Sequence, residues 1–131
     1  MSAQPIEIIL SRQLADSLSI PIFIVDTHGN LLFYNEPAEE LLGMRFEETG
    51  FMSVEEWSTI FKPEDEEGRH LPGGALPLVR TLNHQAPMHG EFWIHNMKKK
   101  ERIKISVTSY PIIGRPHRFI GAVALFWKSN T

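Results

Sequence analysis

Two segments of the chain, residues 20–26 and 118–127, have the composition of β-strands and are apolar on both faces. Their alternating side chains are Ile20, Ile22 and Ile24 against Phe23 and Val25 in the first segment, and Ile120, Ala122, Ala124 and Phe126 against Phe119, Val123, Leu125 and Trp127 in the second. A strand with two apolar faces needs cover on both of them. The pattern therefore predicts that these segments lie side by side in the middle of a sheet. Helices between residues 36 and 84 would cover one face, and the N-terminal helix or a partner chain the other.

The other elements follow from hydrophobic spacing and from residues that start or stop helices. Ser53 and Glu56 form the pattern of a capping box, Gly43 ends a helix, and residues 63–74 are rich in turn formers and acidic residues. The predicted helices are 4–19, 36–42, 53–61 and 76–83, and the other predicted strands are 31–35, 88–96 and 101–110. This order indicates an α+β fold.

The first predicted helix carries an apolar stripe with two alternative partners. Its apolar positions follow helical spacing and include Ile6, Ile9, Leu10, Leu14 and Leu18. The stripe either packs on its own domain, where it covers the second face of the sheet, or pairs with another chain. One helix can do both.

Length and composition exclude several classes of protein. The 131 residues suit one domain, and the formal charge of -3 argues against a nucleic-acid surface. Without cysteine there is no disulfide, zinc–thiolate site, iron–sulfur cluster or cysteine nucleophile. No apolar run approaches the ~20 residues that span a bilayer. The N-terminus lacks the features of a signal peptide, so we expect a cytoplasmic protein that does not bind membranes.

No catalytic or metal-binding pattern is present in the sequence. Gly73-Gly74 lacks the Lys-Ser/Thr of a phosphate-binding loop, and the acidic run 64–67 has no partner placed for general acid–base work. His89 and His95 share a side of one strand but lie about 20 Å apart, too far to share an ion. We therefore expect no enzymatic activity. The alternative is a small α+β hydrolase or isomerase with a pocket against a curved sheet.

Four segments, taken in order, resemble the PAS domain family. They are Ile22-Phe-Ile-Val-Asp26 with Gly29-Asn-Leu and Asn35, the helix Glu36-Pro-Ala-Glu-Glu-Leu-Leu-Gly43, the stretch Gly68-Arg-His-Leu-Pro72 followed by Leu76-Pro-Leu-Val-Arg80-Thr-Leu82, and the strand Gly121-Ala-Val-Ala-Leu-Phe126. Each segment is weakly specific, and their order and spacing carry the resemblance. It spans about residues 11–127.

The resemblance implies a five-stranded antiparallel sheet in the order second, first, fifth, fourth, third. Short helices would cover one face, and an N-terminal helix the other. Residues 1–19 would be a cap or dimerisation helix, and residues 20–131 a sensor domain. The implied function is that of a sensory or protein-interaction module in bacterial signal transduction, for example in a two-component system. Such a module would form a homodimer, act on a kinase or regulator, and signal either by binding a small apolar or aromatic molecule or purely by protein contact.

Sheet alternation and the PAS resemblance together predict a ligand pocket between the sheet and the short helices. Its predicted wall consists of Ile22, Ile24, Phe33, Leu42, Trp57, Leu78, Leu82, Phe92, Ile94, Ile105, Val107, Ala122 and Ala124. The alternative is that these residues fill a closed core. The predicted dimer interface consists of Ile6, Ile9, Leu10, Leu14, Leu18, Phe23, Val123, Leu125 and Trp127.

His84 follows the helix predicted at 76–83, near the position where haem-binding PAS domains resemble one another in carrying an axial histidine. A haem or flavin redox sensor is therefore a further alternative. The dipole of the helix also favours a histidine at its C-terminal end without any cofactor. Light-sensing PAS domains that bind flavin use a thiol to form their photoadduct, and this chain has no cysteine.

Overall fold

The computed structural model describes residues 5–129. Its helices are α1 (Ile6–Ser17), α2 (Glu36–Leu42), α3 (Phe46–Thr49), α4 (Val54–Ile60) and α5 (Pro77–His84), and its strands are β1 (Ile22–Asp26), β2 (Leu31–Tyr34), β3 (Met88–His95), β4 (Arg102–Gly114) and β5 (Arg118–Lys128). The strands form one antiparallel sheet in the order β2-β1-β5-β4-β3. This arrangement confirms the predicted α+β class, the strand order and the neighbouring central positions of β1 and β5.

The sheet separates two hydrophobic clusters. The inner cluster packs the sheet against α2, α4 and α5, and Phe23 and Val25 of β1 belong to it. The outer cluster lies beneath α1, whose Ile8 and Ala15 pack with Ile24 and other side chains of the opposite face. Strands β1 and β5 contribute to both clusters, which is the physical reason that their sequences are apolar on both faces.

A tight turn joins β1 to β2. The carboxylate of Asp26 accepts hydrogen bonds from the backbone N–H groups of His28 and Asn30, both at 2.9 Å. Gly29 adopts a φ of 85°, a left-handed conformation that glycine reaches without steric cost. This local network explains why a short polar sequence interrupts two apolar strands.

Three details differ from the sequence-based predictions. Helix α3 was not predicted, and β4 continues to Gly114, beyond the predicted end at residue 110. Ile120 belongs to the outer cluster and not to the face of Ala122 and Ala124. The cause is a bulge opposite Ile112, where the pairing with β5 shifts by one residue. The predicted start of the first helix at residue 4 lies outside the described residues.

Candidate functional site

An apolar cavity of about 80 Å³ lies between the inner face of the sheet and the helical layer. Its wall consists of Phe23, Leu42, Trp57, Phe61, Pro63, Leu76, Pro77, Leu78, Phe92, Ile94, Ile105, Val107, Ala124 and Phe126. All of these residues are buried except Phe92, which is half-buried. The cavity is therefore lined almost entirely by buried side chains, and its rim, where the wall reaches solvent, includes the side chain of Phe92.

Helix α4 places the indole of Trp57 in the cavity wall. Ser53 and Glu56 form a reciprocal capping box that fixes the start of this helix, as the sequence predicts. The Trp57 Nε1–H donates a hydrogen bond of 2.6 Å to the Gly29 carbonyl oxygen in the β1–β2 turn. Its ring packs edge-on against Phe23 at 5.3 Å between centroids. The indole is fixed in place, and its one hydrogen-bond donor is already used.

Helix α5 is attached to the sheet by a pair of buried hydroxyl groups. Thr81 and Ser109 are fully buried, and their hydroxyl oxygens lie 2.7 Å apart. This hydrogen bond joins α5 to β4 next to the cavity, where Leu78 and Val107 form part of the wall. Neither residue lines the cavity, so the pair stabilises the position of α5 without placing a polar group in the cavity wall.

The acidic loop, residues 62–70, closes one edge of the site. Glu64 forms two backbone hydrogen bonds with Trp93, of 2.8 and 2.9 Å. Its carboxylate accepts a hydrogen bond from Arg102 Nε at 2.8 Å, and its Oε2 lies 3.1 Å from His95 Nε2. The hydrogen bond from Arg102 and the proximity of His95 hold the pKa of the Glu64 carboxyl below its usual value. Because Pro63 belongs to the wall, these contacts also position that part of the cavity.

The buried side chain of Asn35 connects the outer helix to the elements around the cavity. Its Oδ1 accepts hydrogen bonds from the backbone N–H groups of Ile22 and Ala38, at 3.0 and 3.2 Å. Its Nδ2 donates to the carbonyl oxygens of Ala15 and Ile20, both at 2.9 Å. One amide group thus joins α1, the segment before β1, β1 itself and the start of α2.

The structure brings eight of the predicted pocket residues together in the cavity wall: Leu42, Trp57, Leu78, Phe92, Ile94, Ile105, Val107 and Ala124. Leu82 and Ala122 belong to the inner cluster without lining the cavity. The sequence reasoning missed Phe23, Phe61, Pro63, Leu76, Pro77 and Phe126. Phe126 alternates with Ala124 along β5, so periodicity was a usable signal for that residue.

Ile22, Ile24 and Phe33 lie on the other face of the sheet, and their predicted placement in the pocket is wrong. Antiparallel partners share a face, and Ile24 pairs with both Val123 and Phe33, on the side covered by α1. The guanidinium of Arg12 on α1 also lies 4.5 Å from the centre of the Phe33 ring.

The residues of the predicted interface fall into three groups. Ile6, Ile9, Leu10, Leu14 and Trp127 are exposed. Leu18, Val123 and Leu125 belong to the outer cluster next to α1. Phe23 belongs to the cavity wall instead, because its cross-strand partner is Ala124 on the inner face. That part of the interface prediction is wrong.

The cavity does not fit a haem or a flavin. His84 is exposed at the end of α5 and does not line the cavity, whose wall contains no histidine or other haem ligand. The wall also offers no free polar side chain to the ring nitrogens and carbonyls of a flavin. Among residues 5–129, no group of three His, Asp or Glu side chains is arranged to hold a metal ion. Within the same residues, no helix has the length and apolar character needed to cross a bilayer.

Comparisons with known proteins agree on the fold. The chain is similar to the PAS domain of a Colwellia psychrerythraea protein (TM-score 0.64, 20% identity, 92% of this chain and 97% of that one). It is also similar to the PAS domain of nitrogen regulation protein NR(II) from Vibrio parahaemolyticus (TM-score 0.63, 15% identity, 92% and 98% covered). A third similar structure is the Rhodobacter sphaeroides LOV protein (TM-score 0.70, 13% identity, 95% and 68% covered).

No curated protein matches the chain. A family model described as a PAS domain matches residues 10–76, just over half of the sequence. Together with the strand order and the apolar cavity between sheet and helices, this match settles the family. The chain belongs to the PAS domain family and is a PAS sensory domain.

Proposed function

We propose that this domain is a sensory and protein-interaction module of bacterial signal transduction, which works as a homodimer and couples occupancy of the cavity to the packing of α1. Residues 1–19 would form the cap and dimerisation segment, and residues 20–131 the sensor. Its partner would be a cytoplasmic kinase or regulator, as in a two-component system. PAS domains act as sensory and signalling modules and generally carry no catalytic activity. No enzymatic step is part of the proposal.

The observation that carries this proposal is that α1 has apolar residues on two sides. Ile8 and Ala15 are 2% and 0% exposed, because they pack on the outer face of the sheet. Ile6, Leu10 and Leu14 follow one another at intervals of four residues and are 64%, 56% and 57% exposed. A helix that is already docked on its inner side leaves this second stripe for another surface.

A second copy of this chain is the occupant that we propose for the stripe. The spacing of Ile6, Leu10 and Leu14 gives a continuous apolar row along one side of the helix, which suits packing against an identical row related by a two-fold axis. The exposed Trp127 and the partly buried Leu125 on β5 extend the apolar area on the same face of the sheet.

The contacts of Asn35 support coupling between the cavity and this interface. The same amide binds the carbonyl oxygen of Ala15 in α1 and the N–H of Ala38 in α2, the helix whose Leu42 lines the cavity. Movement of α2 by a ligand would therefore shift Asn35 and change its hydrogen bond to Ala15 in α1. The resulting shift can be no larger than the difference in the ligand's affinity for the two arrangements.

Sedimentation velocity of the purified protein tests the homodimer. We expect a dimer at concentrations of about 10–100 μM and a monomer for the double variant Leu10→Glu/Leu14→Glu, since each carboxylate would be buried without a partner in the dimer. The control is Asn83→Glu/His84→Glu, which adds the same carboxylates at exposed positions of α5 and should stay dimeric. A monomeric wild-type protein, or equal effects of both double variants, would contradict the proposal.

A further inference from the structure

We infer that the ligand of the cavity is a wholly apolar molecule smaller than benzene, such as a dissolved gas or a short hydrocarbon. The inference rests on the proposed sensory function and goes beyond it, because it excludes the aromatic molecules that the sequence alone left open. Two independent features of the cavity carry it. They are the chemistry of the wall and the volume.

The wall offers no hydrogen-bond partner. Every lining side chain is hydrocarbon except the indole of Trp57, and its N–H already donates to the Gly29 carbonyl oxygen. The nearby hydroxyl groups of Thr81 and Ser109 bind each other. A hydroxyl, amine or carboxyl group of a ligand would lose its bonds to water and find no replacement, at a cost of about 1–3 kcal/mol or more for each group.

The volume of the cavity limits the size of its ligand. A cavity that accepts benzene or xenon in a well-studied engineered protein measures about 150 Å³, whereas this one is about 80 Å³. Benzene would need the close-packed wall to expand, and such walls resist expansion. Molecules that combine this size with the absence of polar groups include xenon, dioxygen and two-carbon or three-carbon hydrocarbons.

Entry can take place at the rim. Phe92 is the half-buried member of the wall and lies on β3, and Pro63 and Pro77 line the same cavity. Rotation of one aromatic side chain is a smaller rearrangement than separation of the helices from the sheet. A small apolar molecule can therefore exchange on the timescale of side-chain motion.

Methyl NMR under xenon pressure tests the inference directly. We expect saturable shifts of the Ile94 and Ile105 methyl signals, and no comparable shift at Ile22 and Ile24, which are also buried but lie on the outer face. Ethylene should reproduce the xenon pattern. Methanol and benzene, one polar and one too large, should not.

Two variants with a matched control relate these shifts to the cavity. Ala124→Val adds two carbons to the cavity wall and should abolish the xenon shifts, whereas Val123→Ile adds one carbon on the outer face of the same strand and should keep them. Phe92→Ala enlarges the cavity at its rim and should give it measurable benzene binding. Loss of the shifts in Val123→Ile, or their persistence in folded Ala124→Val, would overturn the assignment.

The inference and the proposed function can fail separately. Three results would overturn the inferred ligand class, whatever the oligomeric state. They are the absence of xenon shifts at Ile94 and Ile105, benzene binding by the wild-type protein, and release of a heavier molecule when the protein is denatured in native mass spectrometry. Xenon binding with no change in sedimentation or in the α1 signals would support the ligand class and contradict the coupling between cavity and homodimer.

Discussion

Replacement of Asn35 by alanine should cost this domain a large part of its stability. The side chain is 1% exposed and makes four hydrogen bonds to backbone groups. Loss of the N-cap of α2 accounts for about 1 kcal/mol. The buried N–H of Ile22 and the carbonyl oxygen of Ile20 would also lose a partner, at about 1 kcal/mol or more each after partial relaxation. The Ala15 carbonyl oxygen would keep its hydrogen bond from Leu18 N and would add less. We expect a total of about 3–5 kcal/mol, against a typical stability of about 5–15 kcal/mol.

Urea denaturation followed by tryptophan fluorescence measures this loss. With a slope of about 2 kcal/mol/M, a change of 4 kcal/mol moves the midpoint by about 2 M. Asn83→Ala, on the exposed side of α5, is the control and should change stability by less than about 0.5 kcal/mol. A loss of less than about 1 kcal/mol in Asn35→Ala would refute the reasoning, since it would mean that water or backbone movement satisfies these groups.

Asn35→Asp separates the accepting and donating roles of the amide. The introduced carboxyl keeps the Oδ1 acceptor but brings negative charge close to the carbonyl oxygens of Ala15 and Ile20. Burial and these oxygens should raise the pKa of that carboxyl above its usual value. The stability of the variant should therefore be closest to that of the wild type at low pH and should fall further below it as the pH rises. A pH-independent difference from wild type would contradict this assignment.

Two further predictions concern the acidic loop and a glycine. Contacts with Arg102 lower the pKa of Glu64, so its stabilising contribution is present above the unfolded-state pKa and is lost as the pH falls through the lower folded-state pKa. Glu64→Gln should therefore reduce the fall in melting temperature at acidic pH. An unchanged fall in melting temperature would contradict this. Gly43→Ala should lower the melting temperature more than Gly68→Ala, because both glycines have a positive φ but only at residue 43 would an added Cβ overlap with Asn96. Gly68→Ala is the control and measures backbone strain alone, about 1 kcal/mol. Equal losses in the two variants would show that Asn96 moves away from the added Cβ.

The sequence predicted which strands are central but not which face of β1 holds the cavity. Both faces of that strand are apolar, so periodicity contains no information about its phase. The face of β1 that lines the cavity is set by the pairing of Phe23 with Ala124, and the sequence alone does not give the register between β1 and β5. In β4, Pro111 lacks the N–H of a ladder residue and suggests an early end, yet the strand continues to Gly114.

The missed parts of the site come from segments without periodicity. Phe61, Pro63, Leu76 and Pro77 lie at the ends of helices or in loops, where an apolar residue has no neighbours at helical or strand spacing to indicate its direction. The backbone pairing of Glu64 with Trp93 is equally hidden, because an acidic run is typical of a solvated loop.

The backbone pairing of Glu64 with Trp93 affects how the sheet can associate with other chains. A strand at the border of a sheet presents unpaired N–H and C=O groups, and extended segments of other proteins can add to it. On β3, both backbone groups of Trp93 are bonded to Glu64, and ion pairs of Arg102 with Glu64 and of Lys104 with Glu66 hold the acidic loop at the same border. Sheet extension through this part of β3 is therefore blocked from within the chain.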